Sequence, residues 1–233
     1  MTDIFTMLER NPYPGRGIAV GRSTDKTSSI IAYFIMGRSE NSRNRIFVPE
    51  GDGIKTKAHD ISKLTDPSLI IYSPVRIFDS STIVTNGDQT DTIYEHLTAK
   101  SGFEDALRVR GYEPDAPNYT PRISAITAED GSYKLSILKR DPEGSDECQR
   151  FFYEYQAVPG RGHFISTYQG DGDPLPSFKG EPVSIATDLP LGEFAERLWA
   201  SLNPHNKVSL FVRSVCQSSG KMETLIYNKH EGD

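Results

Sequence analysis

Seven consecutive residues, Ile30 to Met36, are all apolar or aromatic, and the run stops at Gly37. A stretch this short and this rich in β-branched and aromatic residues predicts a buried strand. Its exit is opposite in character. Gly37 is followed by Arg38, Ser39, Glu40, Asn41, Ser42, Arg43, Asn44 and Arg45. Arginine offers a planar fork of donors that matches phosphate or carboxylate oxygens two at a time. Serine and asparagine add short donors, and glycine lets the backbone approach closely. Read as an extended segment, Arg43 and Arg45 share a face, with Asn44 opposite. Like charges side by side cost energy unless an anion neutralises them. A solvated polar turn is the plain alternative; the spacing favours an anion cradle.

The rest of the chain bounds what such a cradle can serve. With 233 residues there is room for one large domain or two small ones. The formal net charge of -6 argues against a general nucleic-acid binder, which needs a broad basic face. A local basic pocket survives on an acidic surface, because narrow clefts focus the field. The two cysteines, Cys148 and Cys216, cannot build a disulfide framework, which fits a reducing compartment. No signal segment and no membrane-length apolar run is visible, so the expected location is the cytoplasm. The scattered histidines and cysteines suggest no metal site.

In order, Thr2 to Arg10 reads as a short helix, and Asn11 to Gly17 as a loop with two prolines and two glycines. Strands from Ile18 and from Ser29 to Met36 make a hairpin. Antiparallel pairing sets the start of the first strand beside the end of the second. Arg16 then lies beside the Arg38 to Arg45 segment, or else is a surface turn residue. Phe47 to Lys63 reads as a polar connection, and Ser68 to Ile77 as a strand broken at Pro74. The strand Ser81 to Thr85 ends in Asn86-Gly87, either a tight turn or a set of donors leading into a helix from Thr92 or Ile93. The loop Tyr112 to Arg122 carries three prolines and brings together Glu113, Asp115, Asn118, Tyr119, Thr120 and Arg122. A proline-stiffened loop costs less entropy to fix than a flexible one. Further strands are expected over Ile123 to Thr127, Ser132 to Lys139, Arg150 to Gln156, Phe164 to Tyr168 and Lys207 to Val215. Phe151, Tyr153 and Tyr155 form a stripe read as core. A helix is expected from Leu191 to Leu202 and a polar tail from Gln217. Hairpins with grouped helices predict an α+β fold with antiparallel sheets.

The series Gly15-Arg16-Gly17, Gly37-Arg38-Ser39 with Asn44-Arg45, Ile71-Tyr72, Thr85-Asn86-Gly87, Thr120-Pro121-Arg122-Ile123 and Ser166-Thr167-Tyr168 resembles the archaeal-type IMP cyclohydrolase family. The resemblance runs from about Gly15 to Tyr168 and fades after Pro174. It implies a single domain with a four-layer αββα sandwich similar to that of N-terminal-nucleophile hydrolases. It implies ring closure of formamidoimidazole carboxamide ribonucleotide to IMP, a purine ribonucleotide, with loss of water and no cofactor or metal. On that basis Arg38, Arg45 and Arg16 would hold the phosphate or the carboxamide oxygen. Ser39, Asn44 and Asn86 would donate to the substrate, with Gly87, Asn118, Thr120, Arg122 and Tyr168 completing the binding set. Tyr72 would place a phenol near the reacting amide. Glu113 would be the general acid/base, a role that requires its burial, since nearby arginine otherwise lowers its pKa. Removal of Met1 would expose Thr2, but Thr2 precedes a helical lead rather than a core strand, which rejects an N-terminal nucleophile. A nucleotide-binding protein without chemistry is the competing reading. Neither a membrane nor a nucleic-acid partner is expected, and a homo-oligomer is compatible with the sequence.

Overall fold

The computed structural model describes residues 1–64 and 71–230. The run that opens the sequence forms β2 (Ser28–Met36), preceded by helix α1 (Ile4–Glu9) and strand β1 (Arg16–Arg22). Its side chains alternate between two apolar environments, as a strand buried on both faces must. Ile31, Tyr33 and Ile35 point one way; Ile30, Ala32, Phe34 and Met36 point the other.

After β2 comes a short helix, α2 (Glu40–Arg43), then β3 (Arg45–Glu50), β4 (Gly53–Ala58), a 3-10 turn (Ile61–Lys63), β5 (Val75–Phe78) and β6 (Ser81–Thr85). Helices α3 (Gln89–Thr98) and α4 (Phe103–Arg108) lead to β7 (Arg122–Thr127), β8 (Tyr133–Arg140), β9 (Cys148–Tyr155), β10 (Arg161–Ser166) and β11 (Val183–Ala186). Helix α5 (Leu191–Ser201), β12 (Lys207–Cys216) and β13 (Met222–Asn228) complete the described chain.

The strands form two antiparallel sheets, ordered β11-β10-β1-β2-β12-β13 and β3-β4-β5-β6-β7-β8-β9. The expected α+β class with antiparallel pairing therefore holds. One apolar cluster joins α1 and α5 to the first sheet, through Leu8, Phe194 and Leu198 against Phe34 and Leu210. A second joins residues of the two sheets, with Tyr33 and Phe211 meeting Phe47, Val84 and Ile123. A third joins α3 and α4 to the second sheet, through Ile93, Phe103 and Leu107 against Ile83 and Leu138. Among the described residues no helix is long and apolar enough to cross a membrane.

Several local expectations change. Residues 40–43 are helical rather than extended, because Ser39 caps the turn: its side chain accepts from the Ser42 amide, and the Ser42 side chain answers at the Ser39 amide. That turn separates Arg43 from Arg45. The Arg43 guanidinium bonds the Gly37 carbonyl (2.9 Å) and Asn206 (3.1 Å). The segment read as a polar connection supplies β3 and β4, and the segment read as a tail supplies β13. Of the strand expected over Ser68 to Ile77, the Ser68–Ile70 portion lies outside the described residues, and β5 begins just past the Pro74 break.

Candidate active site

The hairpin β1–β2 sets Arg16 opposite Ile35. The first arginine of β1 thus comes level with the end of β2, where Arg38 and Arg45 follow. A cleft of about 270 Å³ opens there. Of the residues predicted from sequence, Arg16, Arg38, Ser39, Arg45, Glu113, Asn118, Thr120 and Tyr168 line it. Tyr13, Gly15, Met36, Ser42, Asp115 and Leu175 complete the wall. Residues distant in sequence therefore share one hollow.

Glu113 and Arg16 form its floor. The Arg16 Nη2 donates to Glu113 Oε2 at 2.9 Å, and its Nη1 donates to the Asn86 carbonyl at 3.1 Å. Glu113 is 3% exposed and Arg16 9%, so the pair is largely shielded from water. Burial pushes the Glu113 carboxyl above the usual range; Arg16, and behind it Arg122, pull it back only in part. Burial alone would lower Arg16, but its surroundings, Glu113 foremost, more than offset this, and the guanidinium stays charged. The burial that a Glu113 acid/base requires is met.

The proline-bearing loop that carries Glu113 is held at both ends of its turn. The Glu113 amide donates to the Thr120 carbonyl at 2.9 Å. The Thr120 amide donates to Asp115 Oδ1 at 2.6 Å, and the Thr120 hydroxyl bonds both Asp115 and the Tyr168 phenol. Asn118 accepts from the Leu175 amide at 3.1 Å. Tyr168 stacks on Tyr13 at 6.0 Å, and burial raises both phenols. Gly15 turns beneath this stack with φ +76, in the left-handed region that a side chain disfavours. A Cβ there would stand 2.3 Å from Thr167 Oγ1 and 2.5 Å from the Tyr168 ring.

The other two cleft arginines differ in how they are held. Arg45 is 3% exposed, and its guanidinium is oriented by backbone carbonyls, Ser42 at 2.8 Å and Met36 at 3.5 Å. It has no carboxylate partner among the described residues. Arg38 stands at the mouth, bonded to Asp171 and to the Gly172 carbonyl at 2.8 Å each, with its guanidinium 5.2 Å from the Tyr13 ring. Of the three guanidiniums, Arg16 and Arg38 are paired with carboxylates, and Arg45 is held by carbonyls alone.

The remaining predicted residues lie outside the cleft wall. The Tyr72 phenol is buried and shares a 2.7 Å hydrogen bond with the Tyr33 phenol. Asn86 spends its side chain on the backbone: its Nδ2 donates to Pro121, and its Oδ1 accepts from the Ile123 amide. Arg122 is held by Gln89 and Asp88, at 2.7 Å each. Gly87 lies between Arg122 and Glu113; a Cβ would meet Arg122 Nη1 at 2.6 Å and Glu113 Oε1 at 3.5 Å. The Asn86 carbonyl thus helps hold Arg16, and Arg122 acts on the Glu113 carboxyl through its charge. Asn44 departs most from expectation. Its amide is consumed by the Asp60 backbone, at 2.7 Å in both directions, on the far side of α2. Tyr13 and Leu175 were not singled out from sequence, although Tyr13 sits between two prolines three residues before Arg16. No group of metal-ligating side chains occurs among the described residues.

Comparison with known proteins identifies the family. Residues 13–219 match the family described as IMP cyclohydrolase-like protein. The IMP cyclohydrolase of Methanopyrus kandleri is 32% identical over 74% of this chain and 92% of its own. That of Methanothrix thermoacetophila is 32% identical over 76% and 85%, and that of Methanocaldococcus jannaschii 25% over 76% and 84%. With a match that spans most of its length and takes in every residue of the cleft, the chain belongs to the IMP cyclohydrolase-like family.

Proposed function

We propose that this protein is an IMP cyclohydrolase, which closes formamidoimidazole carboxamide ribonucleotide to IMP with loss of water. The observation that carries this reading is a buried, upward-shifted carboxyl, Glu113, paired with Arg16 on the floor of a cleft rich in arginine. Ring closure joins the carboxamide nitrogen to the formyl carbon and expels the formyl oxygen as water. That oxygen collects two protons, one given up by the carboxamide nitrogen on attack and one by the formamide N–H as the C=N bond forms. A group that accepts a proton from nitrogen and returns one to the departing oxygen serves both steps. A carboxyl held above its usual range can do both. Arg16, fixed beside it, faces the oxygen that gains negative charge during attack. Arg45 and Arg38 take the phosphate, Arg45 because its fork lacks a carboxylate and Arg38 by exchanging Asp171 for the ligand. Holding the carboxamide against the formyl group contributes up to about 7–11 kcal/mol of the barrier reduction.

The same reading brings a four-layer αββα arrangement similar to N-terminal-nucleophile hydrolases. Three apolar clusters, two between helices and a sheet and one between sheets, support it. It also places the protein in the cytoplasm.

Purified protein incubated with the formylated ribonucleotide tests the reading, with IMP followed by ultraviolet absorbance. Tight binding of IMP without turnover would instead make this a purine-nucleotide-binding protein. Arg45→Ala is expected to raise KM on the order of 10- to 100-fold with a smaller change in kcat, as loss of a charge-assisted bond to phosphate implies. A fall in kcat at unchanged KM would move Arg45 from the phosphate to the reacting atoms.

A further inference from the structure

The outer strands of the two sheets are not equally protected. An open strand edge offers unpaired backbone groups to another chain, and monomeric proteins blunt such edges. β11 is only four residues long, and Thr2 bridges its outer side, with its amide donating to the Ser184 carbonyl at 2.8 Å. β3 carries Pro49, and its Phe47 backbone is bonded on both sides by the Asn228 side chain, at 2.8 and 3.0 Å. That same contact ties down the end of β13. Among the described residues β9 has no proline and no bridging segment, and only its first two carbonyls, of Cys148 and Gln149, meet side chains, those of Arg150 and Cys148. It runs eight residues, Cys148–Tyr155, without proline, and pairs with β8 in one unbroken register. Among the described residues no backbone hydrogen bond reaches Gln149 to Tyr155 from outside the β8 ladder.

The side chains of β9 fit a second copy of the same strand. In an antiparallel pair about a two-fold axis at Phe152, Arg150 stands across from Glu154 of the other copy, and Glu154 across from its Arg150. Phe151 then stands across from Tyr153, and Phe152 across from itself. Residues directly opposite in such a pair have Cβ atoms about 4.5–5.5 Å apart, so these contacts form. The charges call for this partner. Arg150 is exposed, and its guanidinium bonds only carbonyls, of Cys148 (3.1 Å) and Arg110 (2.8 Å), among the described residues. Glu154 is exposed and shares a single cation, Lys134, with Glu104 at 2.7 Å each. The strand is one cation short at one end and one anion short at the other. Its aromatics, read from sequence as core, are only half-buried in the single chain.

We propose that β9 is a self-association edge, and that two copies of this chain pair β9 to β9 antiparallel, joining their seven-stranded sheets across a two-fold axis. A self-complementary patch gives a closed dimer rather than a filament. The proposal is independent of the catalytic reading.

Sedimentation velocity of the full chain at micromolar concentrations tests it, with circular dichroism on each variant. Wild type is expected to be a dimer. Arg150→Glu alone, and Glu154→Arg alone, set like charges opposite each other twice per interface and should give monomers. The double exchange R150E/E154R restores both pairs and should restore the dimer. A second readout serves where a charge variant fails to fold. The substitution R150C/E154C, made together with Cys148→Ser, places thiols opposite each other only between copies. It should give a dimer on a non-reducing gel that reductant reverses. A monomeric wild type, folded single variants that stay dimeric, a folded double exchange that stays monomeric, or no cross-link would each overturn the proposal.

Discussion

Replacing Glu113 by glutamine is expected to lower kcat by about 10²–10⁴-fold while KM changes little, the size of effect a general acid/base supplies. Glutamine keeps the shape and the oxygen that accepts from Arg16 Nη2, now 2.9 Å from Oε2. It cannot take or return a proton. The pH dependence makes the test sharper. Attack by the carboxamide nitrogen starts from the Glu113 carboxylate, the form that accepts a proton. Burial raises this carboxyl, so the carboxylate is lost at a higher pH than in an exposed glutamate. Thus kcat/KM should fall as pH drops through a value above the ordinary glutamate range, and that limb should vanish in Glu113→Gln. Rates of the single variant measured from weakly acidic to neutral pH decide this. A glutamine enzyme that retains both rate and limb removes Glu113 from the chemistry.

Arg16→Met is expected to cost both turnover and folding. It leaves Glu113, 3% exposed, without its cation, and leaves the Asn86 carbonyl without its donor. Breaking a buried pair from one side typically costs about 3–5 kcal/mol. In a chain of this size that corresponds to a fall in melting temperature on the order of 10 °C. The double variant R16M/E113L separates the two effects. Apolar replacement of both partners removes the unpaired charge, so stability should return toward wild type. Activity should not return, because both reacting-site groups are gone. A double variant as unstable as Arg16→Met would mean that the cost arises from packing rather than from the stranded carboxylate. Differential scanning calorimetry on the three proteins gives the answer.

What could be read from the chain and what could not follow from the physics of each segment. The run Ile30 to Met36 announced a strand because all seven residues are apolar, and the hairpin rule then put Arg16 beside its end. The Glu113 loop was legible because its prolines mark an irregular but stiffened segment. Residues 40–43 were misread because Ser39 is answered by Ser42, where the usual helix-start pattern has glutamate or glutamine. With the turn helical, Arg45 enters the cleft while Asn44 turns away to Asp60. β13 escaped notice because an edge strand with polar neighbours lacks the clean alternation of a half-buried one. β4 does alternate, Lys55 and Lys57 with buried Ile54, Thr56 and Ala58, but the buried Thr56 is polar and turn glycines stand beside it, so the pattern is masked. The placing of Asn86 against Arg16, and of Gly87 and Arg122 near Glu113, is tertiary, and no local pattern in the sequence encodes it.

The most direct test is product formation itself. Formylated ribonucleotide is incubated with the purified chain, and both nucleotides are followed by liquid chromatography with mass detection. One IMP should appear for each substrate lost, at a rate proportional to enzyme and far above the enzyme-free control, and Glu113→Gln should abolish most of it. Substrate that persists beside a folded, IMP-binding protein, with wild type and Glu113→Gln alike, would contradict the assignment of ring closure to this cleft.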